Sequence, residues 1–376
     1  MKKLAISMMS VGLCGWALHA HAQSSVTLYG IVDAGVAYVH NSGGASTQIR
    51  FSSSNLSGSE WGLKGQEDLG GGLAAVFTLE NGFDMGSGQL QPSGRMFGRQ
   101  AFVGVTGARI GTLTLGRQYD PVTDVVQPLT GDQFSGTFAP PGDFDNYDDS
   151  ARFNNAVKWV SPTWAGFTGE LMYAFGGVAG ATGSGAAYSG ALGYVNGPLS
   201  LGAGVTHLDN GNAAASARGT SAADSLFNSS VNAAYATARS VTIARAGGQV
   251  VLGPVTTGAA YSFTEYAADA SSSFNRSEKF NNASLFALWQ ITPAVQAIAG
   301  YNYTASSGDS SAKYHQFNLG VDYSLSKRTD VYAMAGYTHA SGQNGQGAAQ
   351  AVVGSYDIDA GRNSQALAIV GLRQKF

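Results

Sequence analysis

The chain has 376 residues, 44% of them hydrophobic and only 12% charged, with 52 glycines and a formal net charge of −3. That charged fraction is about half of what an ordinary soluble domain carries. The slightly acidic balance argues against a nucleic-acid partner, and a single cysteine, Cys14, excludes a disulfide framework.

In chain order, Lys2 and Lys3 precede a short apolar run over 4–18, and Ala20-His21-Ala22 has the small-residue pattern of a leader cleavage site. Residues 1–22 therefore read as a secretory leader, with the exported chain expected to begin at Gln23. The run is too short and interrupted to span a bilayer as a helix. Cleavage removes Cys14, Lys2 and Lys3, so 21 basic residues become 19 against 24 acidic, a net charge of −5. The histidines that remain, His40, His207, His315 and His339, are scattered without ligand spacing, so neither a metal site nor any other cofactor is expected.

From Val26 onward the chain alternates. Val26, Leu28, Val32 and Val36 share one parity while Thr27, Tyr29 and Asp33 share the other, which is a strand with one oily face. Glycine and serine at 41–46 make a loop, then SEWGLKGQ sets Glu60, Lys64 and Gln66 opposite Trp61 and Leu63. A tight EDLGGG turn leads to a third strand through Leu73, Ala75, Phe77 and Leu79. Further strands follow near 95–107, 110–119, 151–161, 165–175, 186–196, 198–208, 239–252, 255–266, 280–291, 294–305, 314–325, 330–340 and 364–376, which makes sixteen. The clearest is YHQFNLGVDYSLS, with Phe317, Leu319, Val321, Tyr323 and Leu325 on one face and Gln316, Asn318, Asp322, Ser324 and Ser326 on the other.

Connections alternate in length. The short ones carry EDLGG, Ser161-Pro162, Gly197-Pro198, Gly253-Pro254, Thr292-Pro293 and Ser326-Lys327, and proline recurs there because it cannot donate to a strand ladder. The long ones, near 85–94, 120–150, 176–185, 209–238, 267–279 and 341–363, are rich in Gly, Ser, Ala and Asn; the glycine runs at 176–185 and 341–347 read as mobile surface loops. A membrane protein without spanning helices has one common solution, a closed barrel that satisfies every backbone group in lipid. The expected fold is all-β, a sixteen-stranded antiparallel transmembrane barrel in the outer membrane.

Several stretches resemble the Gram-negative general diffusion porins, most closely the beta-proteobacterial type: SSVTLYGIVDAG, GLKGQEDLGGGLAAVFTLE, FGRQAFVGV, GTLTLGRQYDP, RFNNAVKWVSP, YSLSKRTDVYA and the terminal VGLRQKF, in that order. The resemblance implies a homotrimer in which each barrel holds its own water-filled channel for ions and small hydrophilic solutes. It implies contact with outer-membrane lipid and lipopolysaccharide, and a third external loop, here 120–150, folded inward. It also makes Phe376, preceded at alternate positions by Leu372 and Val370, a signal for the outer-membrane assembly machinery.

The loop at 120–150 holds Asp120, Asp124, Asp132, Asp143, Asp145, Asp148 and Asp149 without a single lysine or arginine. Parity assigns the facing wall. With Phe153, Val157 and Trp159 taken as oily, Arg152, Asn154 and Lys158 face the lumen, as do Glu60 and Lys64; Arg95 and Arg99 share an inward parity, and the resemblance matches Arg99 to a pore-lining arginine. The expected constriction therefore sets Arg99, Arg95, Arg152, Lys158 and Lys64 against Glu60, Asp120, Asp124, Asp132, Asp143 and Asp145, a transverse field that filters solutes. Glu60 stands where the family pattern has arginine, which leans selectivity weakly toward cations. Arg117 shares parity with Leu113 and Leu115, so it is expected to face a neighbouring subunit rather than lipid.

No nucleophile, base and orienting group are gathered as a hydrolase requires, so an enzyme is not expected. DFDNYDD lacks the glycine and glutamate of a calcium loop.

Overall fold

The computed structural model describes residues 25–92, 94–210, 227, 229–356 and 358–376; the leader expected at 1–22 lies outside them. Among the described residues sixteen strands form the barrel wall: β1 Ser25–Ser42, β2 Glu60–Gly70, β3 Leu73–Phe83, β4 Gln100–Gly107, β5 Gly111–Gln118, β6 Phe153–Val160, β7 Phe167–Ala174, β8 Ala187–Asn196, β9 Leu199–Asp209, β10 Ser240–Leu252, β11 Val255–Ala267, β12 Glu278–Thr292, β13 Val295–Ser307, β14 Ser311–Ser324, β15 Thr329–Asn344 and β16 Ser364–Lys375. Each pairs antiparallel with the next. The sheet then closes on itself, because β1 also pairs with β16 from Ile31↔Lys375 to His40↔Ala366. Phe376 completes the seam, since its backbone exchanges both hydrogen bonds with Gly30.

The alternation seen in the sequence is the alternation of the wall. On β14, Phe317, Leu319, Val321 and Tyr323 are exposed on the lipid side, whereas Gln316, Asn318 and Asp322 are buried toward the lumen. A barrel in lipid inverts the soluble rule, so its large exposed apolar residues are the solvated ones. The short connections behave as expected: Gly197 and Gly253 take positive φ ahead of Pro198 and Pro254. Glycine first and proline second is the chemistry of a type II′ hairpin, the turn whose twist suits antiparallel strands.

Three boundaries differ from the sequence reading. The first strand continues to Ser42 and returns along Ala45–Ser53, a ribbon above the wall, in place of a loop at 41–46. The fourth strand begins at Gln100 and not near 95; Gly94 and Phe97 take positive φ, which breaks the extended path ahead of it, so Arg95 is exposed in the external connection. The residues 341–344 extend β15 and pair back to Ser311 and Ala312 and to Gly347–Ala348, so the expected mobile loop there is a ribbon.

The interior is not empty. Residues 119–152, the third external connection, run across the lumen as a helix α1, Pro121–Val126, followed by four single 3-10 turns. Asp120 caps the helix through Val122 N and Thr123 N. Apolar side chains of this loop sit in notches left by wall glycines. A Cβ on Gly320 would strike the Phe134 ring, and one on Gly300 would lie 2.7 Å from that of Phe138. Val125 meets Gly202 in the same way. The glycine content of the chain is, in this part, room made for the loop.

In the last external connection, residues 349–356 also turn inward. Val352 and Val353 are fully buried, Gly142 N donates to Gly354 O at 2.8 Å, and Ser355 N donates to Gly136 O at 3.1 Å. Of the connection 209–238, positions 211–226 and 228 lie outside the described residues; Val231, Tyr235 and Ala238 are buried against the wall.

Candidate channel constriction

Between the third loop and the β1–β6 side of the wall lies a cavity of about 490 Å³, lined by Ser54–Gly58, Arg99, Arg152, Asp132, Gln133, Asp148, Asp149, Ser355 and Tyr356 among others. A second space of about 480 Å³ holds Lys64, Gln100, Thr114, Gln118, Asp124 and Lys158. Together they are lined by four of the basic residues singled out from the sequence, Arg99, Arg152, Lys158 and Lys64.

The cations are already answered. Arg99 Nε lies 2.6 Å from Glu60 Oε2 and 3.0 Å from Glu80 Oε1. Arg152 reaches Asp149 at 2.8 Å and the Ser150 carbonyl at 3.1 Å. The Lys158 ammonium pairs with Asp124 and donates to the Tyr119 carbonyl at 3.1 Å. Tyr119 joins the row, with the guanidinium of Arg152 5.1 Å and that of Arg99 6.0 Å from its ring centre. Lys64 sits 5.1 Å from the ring centre of Tyr29, whose hydroxyl donates to Glu80 at 2.7 Å.

The acidic loop divides into two sets. Asp124, Asp132, Asp148 and Asp149 line the lumen spaces. Asp120, Asp143 and Asp145, expected at the constriction, do not line either space and are buried. Asp120 accepts from Thr206 at 2.8 Å as well as from its own helix, Asp143 accepts from Asp148 N at 2.8 Å, and Asp145 accepts from Ser262. They fasten the loop. Burial and mutual repulsion push the Asp132 and Asp143 carboxyls well above the usual carboxylate range, and burial beside Asp149 raises Asp148 to about 7.

Parity fails in one strand. Asn155 has positive φ, so the ladder between β5 and β6 shifts register there. That bulge turns Phe153 inward, into the cluster with Phe144 and Ala156, when alternation had put it in lipid. It also sends Asn154 to Arg117, whose Nη1 donates to it at 2.6 Å while Nε donates to the Gly98 carbonyl at 2.7 Å. Arg117 is thus partnered within its own chain and buried.

Other residues of the site were not singled out from the sequence. Asp33 accepts from Leu56 N at 2.8 Å and Ser57 N at 2.9 Å, which holds the lining segment 54–58. Arg245 donates to the Asn146 carbonyl at 2.9 Å and stands 4.3 Å from the Tyr147 ring centre, behind the loop. Glu80 was legible, since it shares the lumen parity of Thr78.

Residues 8–343 match the family model described as Gram-negative porin. The chain is 31% identical over 370 residues to an outer membrane porin protein of Bordetella pertussis, covering 86% of this chain and 91% of that one. It is 37% identical over 217 residues to outer membrane porin protein 32 of Delftia acidovorans, covering 54% and 59%. Among solved structures, the anion-selective porin from Comamonas acidovorans superposes with a TM-score of 0.74 at 27% identity over 94% of this chain and all of that one. A closed barrel, a lumen crossed by an inward loop and a match over most of the chain agree: this protein belongs to the Gram-negative porin family and forms a channel in the outer membrane.

Proposed function

We propose that the channel passes ions and small hydrophilic solutes by diffusion and filters them at the cavity between the third loop and Arg99, with a weak preference for cations. The observation that carries this reading is the double claim on Arg99: Glu60 at 2.6 Å and Glu80 at 3.0 Å together outweigh its charge. Arg152 and Lys158 each have a carboxylate of their own, Asp149 and Asp124, so the surplus rests on the Glu60–Arg99–Glu80 cluster. In a narrow, partly low-dielectric gap such residual charge acts more strongly than in bulk water. Apolar solutes lose hydration there without compensation. The Comamonas relative is anion-selective, so the sign is the point at issue.

The test is the reversal potential of purified protein in a planar bilayer under a KCl gradient. A small cation-side potential that moves toward the anion side in Glu60→Gln supports the reading. An anion-side potential in the unaltered protein sinks it. We further propose a working trimer that enters outer-membrane lipid through the assembly machinery. Conductance steps in threes, and failed insertion of Phe376→Ala in cells, are the expected outcomes.

A further inference from the structure

The chain leaves the wall between the first ribbon and β2. Ala34 of β1 pairs with Ser53 and Ile31 with Glu60, so six residues, 54–59, stand where two would complete the ladder beside Val32 and Asp33. In a closed sheet the surplus must go out into lipid or into the lumen, and a polar segment, Ser-Asn-Leu-Ser-Gly-Ser, goes inward. Ser54 makes the turn with a φ of 62°. Asp33 gathers the excursion, since its carbonyl accepts from Ser54 N at 3.0 Å and from the Ser59 hydroxyl at 3.1 Å, beside the two amides that its carboxylate holds. Residues 54–58 thereby form one lip of the cavity whose lining includes Asp132, Gln133 and Asp148 of the third loop.

Three external connections meet at one residue of that lip. Asn55 lines the cavity yet is only 2% exposed. Its carbonyl accepts from the Ser135 hydroxyl of the third loop at 2.8 Å and from the Tyr356 hydroxyl of the last connection at 3.2 Å, which occupies both lone pairs. Its side-chain amide donates to the Tyr332 hydroxyl of β15 at 2.9 Å and to the Ser52 carbonyl at 3.2 Å, while its Oδ1 accepts from the Ser52 hydroxyl. Tyr332 in turn donates to Asp33. Beside this junction Leu56 belongs to the apolar cluster of Phe134, Phe138 and Val353, so packing joins the same three connections.

We infer that Asn55, on the reading that solutes pass through this cavity, is a positioning residue: it locks the excursion 54–59, the third loop and the last external connection into one frame, and so fixes the width of the opening beside Arg99. Its polar atoms are saturated by protein, so it acts on solutes through the segments it holds. Asn55→Ala cuts the ties to Tyr332 and Ser52 and lets the carbonyl that bridges the two other connections drift. Ser57 keeps its own bond from Arg373 at 2.7 Å, and Asp33 keeps its amides, so the lip loosens without leaving the lumen.

The test is single-channel conductance in KCl, with the size limit read from which neutral polyethylene glycols enter the channel. Asn55→Ala should raise conductance about 1.5-fold and admit larger polymers, and Tyr356→Phe, which deletes one hydroxyl, about 1.2-fold. Combined, the two should give no more than Asn55→Ala alone, because both release the same junction. Thr304→Val removes an equally buried bond, to Asn282 between β13 and β12, and should leave conductance at the parental value. Parental or reduced conductance in Asn55→Ala, additive rises in the double variant, or an equal rise in Thr304→Val overturns the assignment. The route is checked separately. Protein produced from Gln23 onward lacks cysteine, since Cys14 is the only one in the chain, so Gln133→Cys can be modified cleanly with a charged methanethiosulfonate. If modification cuts the current, the route stands and a parental Asn55→Ala sinks the junction alone; if the current is untouched, both fall. Should Asn55→Ala fail to fold, Tyr356→Phe and Ser135→Ala carry the test, each with the smaller rise.

Discussion

Arg99 joins packing and charge in one side chain. It is mostly buried, with Glu60 and Glu80 on its Nε and Tyr119 beside it. Removing one partner of such a cluster leaves carboxylates out of water without compensation, typically about 3–5 kcal/mol when the pair is fully buried and less here, where the arginine side chain keeps 18% exposure. Arg99→Gln is therefore expected to lower the temperature at which the folded electrophoretic band is lost, and to move the reversal potential further toward cations, opposite in sign to Glu60→Gln. If both variants shift the potential the same way, charge at this position does not set selectivity. Parity alone assigned Glu60, Lys64 and Lys158 to the inward face, because regular strands alternate. It misplaced Phe153, because nothing in RFNNAVKW announces that Asn155 takes a positive φ; two successive asparagines, which tolerate that conformation better than most residues, were the available hint.

The third loop shows how much an element's role depends on what covers it. Its inward path was legible from the family resemblance and from an acidic stretch devoid of basic residues, but composition could not say which carboxylates face water. Asp120 and Asp145 turned out to be fastenings, and the covering segment 349–356 was invisible to periodicity because it is neither helix nor strand. Ser355 of that segment donates to Asp148, which lies near Asp132, Asp143, Asp149 and Arg152. A carboxyl raised to about 7 in the fold, from an ordinary value near 4, favours the folded state fully at low pH and loses that contribution as pH rises toward 7. Thermal stability measured from pH 4 to pH 8 should fall less in Asp148→Asn than in the parent. A parallel fall in both would place the titration elsewhere. The apolar fastening is separable: Phe134→Ala empties the notch above Gly320 and is expected to cost about 3 kcal/mol of loop docking. Its readout is current noise, which should rise while the barrel remains folded. A quiet trace at parental conductance would show that the polar contacts suffice.

At the scale of the whole molecule, stability depends on closure. Each strand's backbone groups are satisfied by two neighbours, and the bonds that close the sheet join residues at opposite ends of the chain, Ile31 to Lys375 and Gly30 to Phe376. In lipid an open edge costs several kcal/mol for every backbone group left unsatisfied, so a fifteen-strand intermediate has no stable form. The Phe376 ring adds a local contact, since it packs against Gly30 where a Cβ would strike its Cζ. Two truncations then differ in kind. Removing Phe376 alone keeps the ladder from Ile31 to His40 with β16 and should leave a barrel that refolds in detergent micelles, with its melting temperature lowered by a few degrees. Removing 364–376 exposes both β1 and β15 along about ten residues each and should leave no heat-modifiable band at any lipid or detergent ratio. A folded band from the second truncation would mean that β1 can pair directly with β15, and that the seam is adjustable rather than fixed by register.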